Sequence, residues 1–177
     1  MTVLARARSG RLVPRSIVVA CISAMTIGVT PLAGAMVVAE DPLLAGGGYA
    51  FKRSEVCLMK RINRARRARG MSGLSWDKQM SYVARRHAYS MAARRSVYHD
   101  YAVGQKITRW RRLAQNTGRG RRCRGIFRSF MSSSAHRGNI FGRWRHLGVG
   151  TYRAGGRLYV QQLFESRLNP GNVYSYP

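Results

Sequence analysis

The segment Arg61–Asp77, RINRARRARGMSGLSWD, contains the end of one predicted helix and the start of the next. Its first part continues a helical spacing of apolar residues that begins at Leu58, and Gly70 is suited to end that helix. Asp77 is a good N-cap for a second helix, because its side chain can accept a hydrogen bond from the first turn. The segment therefore predicts two helices joined by a short connection.

The first helix is predicted over Glu55–Arg69, with Ser54 as its N-cap. The second helix begins after Asp77 and has one apolar face. This face is formed by Met80, Val83, Ala84, His87, Ala88 and Met91. A histidine on such a face is usually a hydrogen-bonded core residue, so His87 is predicted to be one rather than a ligand.

Further along the chain, helical and strand patterns are mixed. The apolar spacing from Gly125 predicts a third helix that the following serines end, and Leu113–Gly120 has the pattern of a strand running into a turn. Two more strands, Val149–Arg153 and Leu158–Phe164, are separated by a Gly-Gly turn and predict an antiparallel hairpin. The fold class is therefore α+β.

Three serines, Ser132–Ser134, precede His136, but the sequence around them lacks the strained elbow of a serine hydrolase. Serines commonly cap helices, so Ser134 is predicted to cap a short turn at residues 135–141. His146, just before the hairpin, is predicted to lie on the surface.

Residues 1–39 have the pattern of a secretory signal peptide. Four arginines precede an uncharged apolar run, residues 17–39, which ends in small residues suited to cleavage. This run is also long enough to cross a bilayer, so an uncleaved membrane anchor is the alternative. Residues 40–53 are predicted to be a flexible lead-in, residues 54–166 the folded domain and residues 167–177 a C-terminal tail. The protein is expected to be secreted and extracellular, or anchored through residues 17–39.

The cysteine content agrees with export. Removal of a signal that contains Cys21 leaves Cys57 and Cys123. An even number of cysteines in an oxidising compartment predicts one disulfide, and two buried free thiols are the alternative.

The charge is strongly positive. The chain has 32 Lys and Arg against six Asp and Glu, and loss of the four signal arginines leaves 28 against six, a net charge of +22. Such a field attracts an anionic cell-surface polymer, a lipid headgroup or an acidic protein surface. Nucleic acid would be attracted by charge alone, and contact with a membrane through the apolar run requires an uncleaved signal. The charge thus defines a class of partners rather than a function.

Four segments, taken in order, resemble motifs of the CAP superfamily, the cysteine-rich secretory, antigen 5 and pathogenesis-related proteins, in its short bacterial form. RINRARRARGMSGLSWD is similar to the family's opening motif, and VYHD to the segment that supplies its first cavity histidine, here His99. AQNTGRG stands where the family has Gly-Glu-Asn, and SSSAHRGNI resembles its Ser-x-x-His-Arg-x-Asn-Ile run, which makes His136 the second cavity histidine. GVGTYRAGGRLYVQQLF then resembles the closing hairpin, so the likeness covers residues 55–164.

The resemblance implies a three-layer α-β-α sandwich and a cleft in which His99 and His136 face each other, with Gln115 and Asn116 beside them. Two imidazoles across a groove can hold a divalent metal or move protons. The chain departs from the family at Gln115, where a glutamate is usual. A neutral amide cannot act as a general base and is a weak zinc ligand, so either no cofactor or weakly bound zinc is expected at the two histidines.

Two functions from different classes follow. The first is a secreted binding module at the bacterial cell surface. The alternative is a metal-assisted hydrolase that uses His99 and His136. Asp100 is next to His99, but adjacent residues of an extended segment point to opposite sides, so Asp100 is not expected to replace the missing glutamate. No catalytic residue is assigned, and the missing carboxylate favours binding.

Overall fold

The computed structural model describes residues 3–5, 49–108 and 110–166. The predicted signal peptide apart from residues 3–5, the lead-in through residue 48 and the predicted tail lie outside the described residues. The helices within that part are α1 (Arg53–Arg67), α2 (Lys78–Ala93), α3 (Val103–Lys106), α4 (Cys123–Ser132) and α5 (Ser134–Ile140). The strands are β1 (Val3–Ala5), β2 (Ser75–Trp76), β3 (Arg112–Gly120), β4 (His146–Ala154) and β5 (Arg157–Glu165).

The strands form one mixed sheet in the order β1-β3-β5-β4-β2. The pairs β1–β3, β3–β5 and β5–β4 are antiparallel, whereas β2 runs parallel to β4. The β4–β5 turn contains Gly155 and Gly156 at φ of 53° and 71°, a backbone region that favours glycine. The predicted closing hairpin and its Gly-Gly turn are therefore confirmed.

Helices cover both faces of the sheet. On one face, Leu113 and Leu163 pack with residues of α2 such as Met80. On the other face, Ala114 and Phe164 pack with α1, α4 and α5. Neighbouring positions of one strand thus serve two cores, as the alternation of side chains along a strand requires. This is the predicted α+β fold in three α-β-α layers.

Helix α2 lies very close to β4. A Cβ atom at Gly148 would overlap the backbone of Met80 and Ser81, and one at Gly150 would overlap that of Ala84 and Arg85. Glycine at these two positions therefore sets the distance between helix and sheet.

Glu55 joins the start of α1 to two other elements. Its carboxylate accepts from the Nε of Arg85 at 2.9 Å on α2, from the N–H of Thr151 at 3.1 Å on β4, and from the N–H of Lys52 at 2.8 Å. The last bond closes the first turn of α1, which begins after Lys52, so the prediction that Ser54 is the N-cap was wrong. A glutamate in the first turn can satisfy this N–H in place of a capping serine.

The disulfide between Cys57 and Cys123 is confirmed. It joins the first half of α1 to the first residue of α4 across 66 positions of sequence. These two helices are neighbours in the same layer, so the bond fixes one helix against the other.

Candidate functional site

His99 and His136, the histidine pair, come from different parts of the fold. His99 lies in the irregular segment between α2 and α3, and His136 lies in α5, where its ring is 4.8 Å from that of Phe130. Burial lowers the pKa of His136, and the nearby positive charge of His99 lowers it further. The two half-buried imidazoles are therefore close enough to influence each other, and His136 stays neutral to a lower pH than an ordinary histidine.

Gln115 and Asn116 are adjacent on β3 and hold the two histidine segments from opposite faces of the sheet. The amide oxygen of Gln115 accepts from the N–H of Asp100 at 3.0 Å, and its NH2 donates to the Asp100 carbonyl at 3.1 Å. On the other face, the NH2 of Asn116 donates to the carbonyl of His136 at 3.2 Å. Each amide thus positions the backbone at or beside one histidine.

The side-chain oxygen of Gln115 also accepts a second hydrogen bond. It accepts from the Nε2 of Gln161 at 2.9 Å, and Gln115 is only 2% exposed. An amide with its oxygen committed to two donors inside the protein offers little to a ligand.

Asn139 and Gln162 extend this amide network and had no role assigned from the sequence. The NH2 of Asn139 donates to the carbonyl of Gln115 at 3.1 Å and to the side chain of Asn116 at 2.9 Å. The oxygen of Gln162 accepts from Asn116 at 3.0 Å. Both residues stood within the motifs quoted from the sequence, but only the fold shows that Asn139 braces α5 against β3 and that Gln162 holds Asn116 from β5.

The nearest acid does not face the histidines as a free carboxylate. Asp100 accepts from the N–H of Ala102 at 3.1 Å and pairs with the ammonium of Lys106 at 2.7 Å. Among the described residues there is no group of three or more His, Cys, Asp or Glu that could hold a metal ion. The described residues therefore place no free carboxylate beside His99 that could complete a metal site.

The other two histidines are structural. The Nε2 of His87 is 2.8 Å from the carbonyl oxygen of Tyr98, which confirms the prediction of a hydrogen-bonded core residue. His146 was predicted to lie on the surface, and this was wrong. It is the first residue of β4, directly opposite Glu165 of β5, and its Nδ1 is 3.0 Å from that carboxylate. Only the pairing of the two strands shows this partner.

The serines beside His136 cap α5. The hydroxyl of Ser133 accepts from the N–H of His136 at 3.5 Å and α5 begins at Ser134, so the cap is one residue earlier than the predicted Ser134. This capping role explains why serine precedes His136, and it does not require the serine to be a nucleophile.

All four acids of the described domain are buried. Their exposed fractions are 0% for Glu55, 0% for Asp77, 1% for Glu165 and 6% for Asp100. Among the lysines and arginines of the same described residues, by contrast, only Arg66 and Arg85 are buried. The described surface is therefore cationic, with almost no carboxylate exposed between the arginines.

Comparisons with known proteins agree with the fold. A family model described as CAP, the cysteine-rich secretory protein family, matches residues 59–164. An outer surface protein of Borrelia burgdorferi superposes with a TM-score of 0.61 at 14% identity, over 69% of this chain and 98% of its own. A search of curated protein sequences finds no match.

Two further structures are bacterial. An extracellular protein of Bacillus anthracis that contains an SCP domain has a TM-score of 0.58 at 21% identity, over 64% of this chain and 40% of its own. A cysteine-rich secretory protein of Staphylococcus aureus has a TM-score of 0.55 at 19% identity, over 64% and 38%. The chain thus spans less than half of these two proteins. Within its described part, no helix is long and apolar enough to cross a membrane.

Proposed function

Because the chain belongs to the cysteine-rich secretory protein (CAP) family, we propose that it is a secreted protein that binds an anionic polymer at the bacterial cell surface. The observation that carries this proposal is the burial of all four acids in the described domain, beneath a surface of exposed arginines. A polyanion meets attraction over such a surface and almost no opposing charge.

The location is supported by the relatives. The similar structures include an outer surface protein and an extracellular protein, both of bacteria. The apolar run at residues 17–39 would supply the export signal, or the anchor if it is not cleaved.

The histidine pair supports binding over the alternative, a metal-assisted hydrolase. Such a hydrolase needs a group that activates water, and a carboxylate or a firmly held metal usually does this. Here Gln115 is buried and hydrogen-bonded, and Asp100 is paired with Lys106. Neither supplies a general base to His99 and His136.

We also propose that zinc, when present, binds weakly to the histidine pair. Two neutral imidazoles are good ligands, but two protein ligands are fewer than zinc sites normally use. Calorimetry with zinc alone should give weak binding that His136→Ala abolishes. Tight binding that survives His136→Ala would place the metal elsewhere.

The test of the binding function uses a fluorescent poly-glutamate and a neutral dextran of similar length. Anisotropy titrations of the mature protein should show binding to poly-glutamate and none to dextran. The affinity should fall steeply between about 50 and 200 mM NaCl, because the protein's cationic side chains displace salt counterions from the polymer and added salt opposes that release. The double variant His99→Ala/His136→Ala should bind poly-glutamate as the wild type does. No binding, or binding that salt leaves unchanged, would contradict the proposal.

A further inference from the structure

We propose that a pocket between α1 and α4 binds closely spaced phosphate groups, an inference that rests on the proposed binding function and specifies its ligand. The pocket has a volume of about 370 Å³ and is lined by Arg61, Arg64, Arg124 and Arg128. It is formed by other residues than the histidine pair and its amide network.

The geometry of the two helices brings these arginines together. Arg61 and Arg64 are three positions apart on α1, and Arg124 and Arg128 are four apart on α4, so each pair lies on one side of its helix. Cys57 is one turn before Arg61, and Cys123 directly precedes Arg124. The disulfide between these cysteines therefore holds the two arginine pairs side by side.

No acid within the described residues neutralises the four guanidinium groups. Each acid of the described domain is buried and bonded elsewhere, Glu55 to Arg85, Asp100 to Lys106, Glu165 to His146 and Asp77 to the first turn of α2. The Nε of Arg61 is buried and has no hydrogen-bond partner within the described residues. A buried donor without an acceptor is costly, and so are four like charges around one pocket. An anion in the pocket would relieve the repulsion among the four guanidinium groups.

The chemistry of arginine points to phosphate. A guanidinium group is a planar fork that pairs with two oxygens of one phosphate, and it stays charged at any ordinary pH. Two arginines on each helix could take one phosphate per helix. The volume is near the lower end for small-molecule sites, which fits a compact group with two or three linked phosphates better than a bulky ligand.

The probe is inorganic triphosphate, titrated by calorimetry in a phosphate-free buffer into three forms of the protein. The test variant, Arg61→Gln/Arg128→Gln, removes one arginine from each helix and keeps good helix formers. The matched control, Arg143→Gln/Arg157→Gln, removes two exposed arginines outside the pocket and gives the same net charge. We expect the test variant to bind triphosphate roughly tenfold or more weakly than the wild type, and the control to stay within about twofold. The melting temperature and the intact mass without reductant check that both variants keep the fold and the disulfide.

The outcomes separate this site from the proposed function. Equal losses in both variants would show that net charge alone binds triphosphate, and would overturn the pocket while leaving poly-glutamate binding intact. If the wild type does not bind poly-glutamate, the proposed general function is wrong instead. If citrate binds the wild type as tightly as triphosphate does, and Arg61→Gln/Arg128→Gln weakens citrate binding equally, the preference for phosphate is wrong.

Vesicles identify the source of the phosphate. Phosphatidylcholine vesicles with a bisphosphorylated inositol lipid, but not those without it, should compete with triphosphate if the ligand is a headgroup. A lack of competition, with triphosphate binding retained, assigns the site to soluble or polymeric phosphate.

Discussion

The side chain of Gln115 donates to the carbonyl of Asp100 and accepts from its N–H, so one group must carry both a donor and an acceptor. An ionised glutamate has no donor and would turn an oxygen toward the Asp100 carbonyl. In this fold the amide at position 115 therefore holds the segment that carries His99 in place. The residue that departs from the family motif is the one that the local hydrogen bonds require.

Gln115→Glu should lower the free energy of unfolding by about 2–4 kcal/mol at neutral pH, because it buries a carboxylate and leaves the Asp100 carbonyl without its donor. The loss should shrink at low pH, where a protonated glutamate can donate again. Gln105→Glu makes the same chemical change at an exposed position and should be nearly neutral. Urea unfolding of the three proteins at two pH values measures this, and equal stability of both variants would count against the role of Gln115.

Asp77 caps α2 and is fully buried, and burial raises its pKa to about 6. One carboxylate oxygen accepts from the N–H of Met80, whereas the other has no partner within the described residues. His146 and Glu165 are the charged groups that act on it. Because the folded pKa lies above the unfolded value of 3.8, the favourable contribution of Asp77 is complete below about pH 4 and is lost as the pH rises through about 6.

Asp77→Asn keeps a good N-cap and removes this ionisation. Relative to the wild type, the variant should gain about 2 kcal/mol in free energy of unfolding between pH 4 and pH 7. Chemical unfolding at several pH values follows the difference, and the measurement at pH 4 is the internal control. If the difference in stability between the variant and the wild type does not change with pH, ionisation of Asp77 does not destabilise the fold.

At the scale of elements, the contact between α2 and β4 has no room for a side chain at Gly150. Gly150→Ala should destabilise the protein by about 1–3 kcal/mol or more, because the new Cβ overlaps the backbone of Ala84 and Arg85 and one element must move. Gly125→Ala is the matched control on α4, where a Cβ meets open space and should stabilise the helix by about 0.5–1 kcal/mol. Thermal melts of both variants test the contact, and a Gly150→Ala protein as stable as the wild type would refute it.

The disulfide acts between α1 and α4. Replacing both cysteines in Cys57→Ala/Cys123→Ala should cost roughly 4 kcal/mol of stability, since a crosslink over 66 positions strongly restricts the unfolded chain. Triphosphate binding at the arginine pocket should weaken as well, because repulsion can then separate the two helices. Unfolding curves give the first effect and calorimetry the second; an unchanged unfolding midpoint would contradict the stabilising role.

The elements that were predicted well have strong local patterns. The apolar face and Asp77 cap of α2, and the two strands around Gly155–Gly156, are visible in the sequence because their periods and turn residues are regular. Strands β1 and β2 and helix α3 were not predicted, because three, two and four residues are too short to show a period. Residue His146 was misplaced because its partner, Glu165, is distant in sequence and adjacent only across the hairpin.

At the scale of the whole molecule, the excess of arginine was evident from composition, whereas the burial of the acids was not. Nothing in the local sequence indicates that Glu55 and Glu165 are buried, because their partners come from other elements: Arg85 and Thr151 for Glu55, and His146 for Glu165. The same holds for the arginine pocket, whose four residues come from segments about 60 positions apart. Position in the fold, rather than composition, decides which charges solvent and ligands encounter.

Burial of the acids also makes the molecule an almost fixed-charge particle. Because arginine is its main cation and few carboxylates are exposed, its electrophoretic mobility should change little between about pH 5 and pH 9, apart from a small step where Asp77, with a pKa of about 6, and the histidines ionise. A protein with nearly balanced charges can reverse the direction of its mobility over the same range, because the few groups that titrate there are large relative to its small net charge. If an anionic matrix holds the protein as proposed, a change in pH should therefore not release it, and ionic strength should control whether the protein is retained or diffuses away.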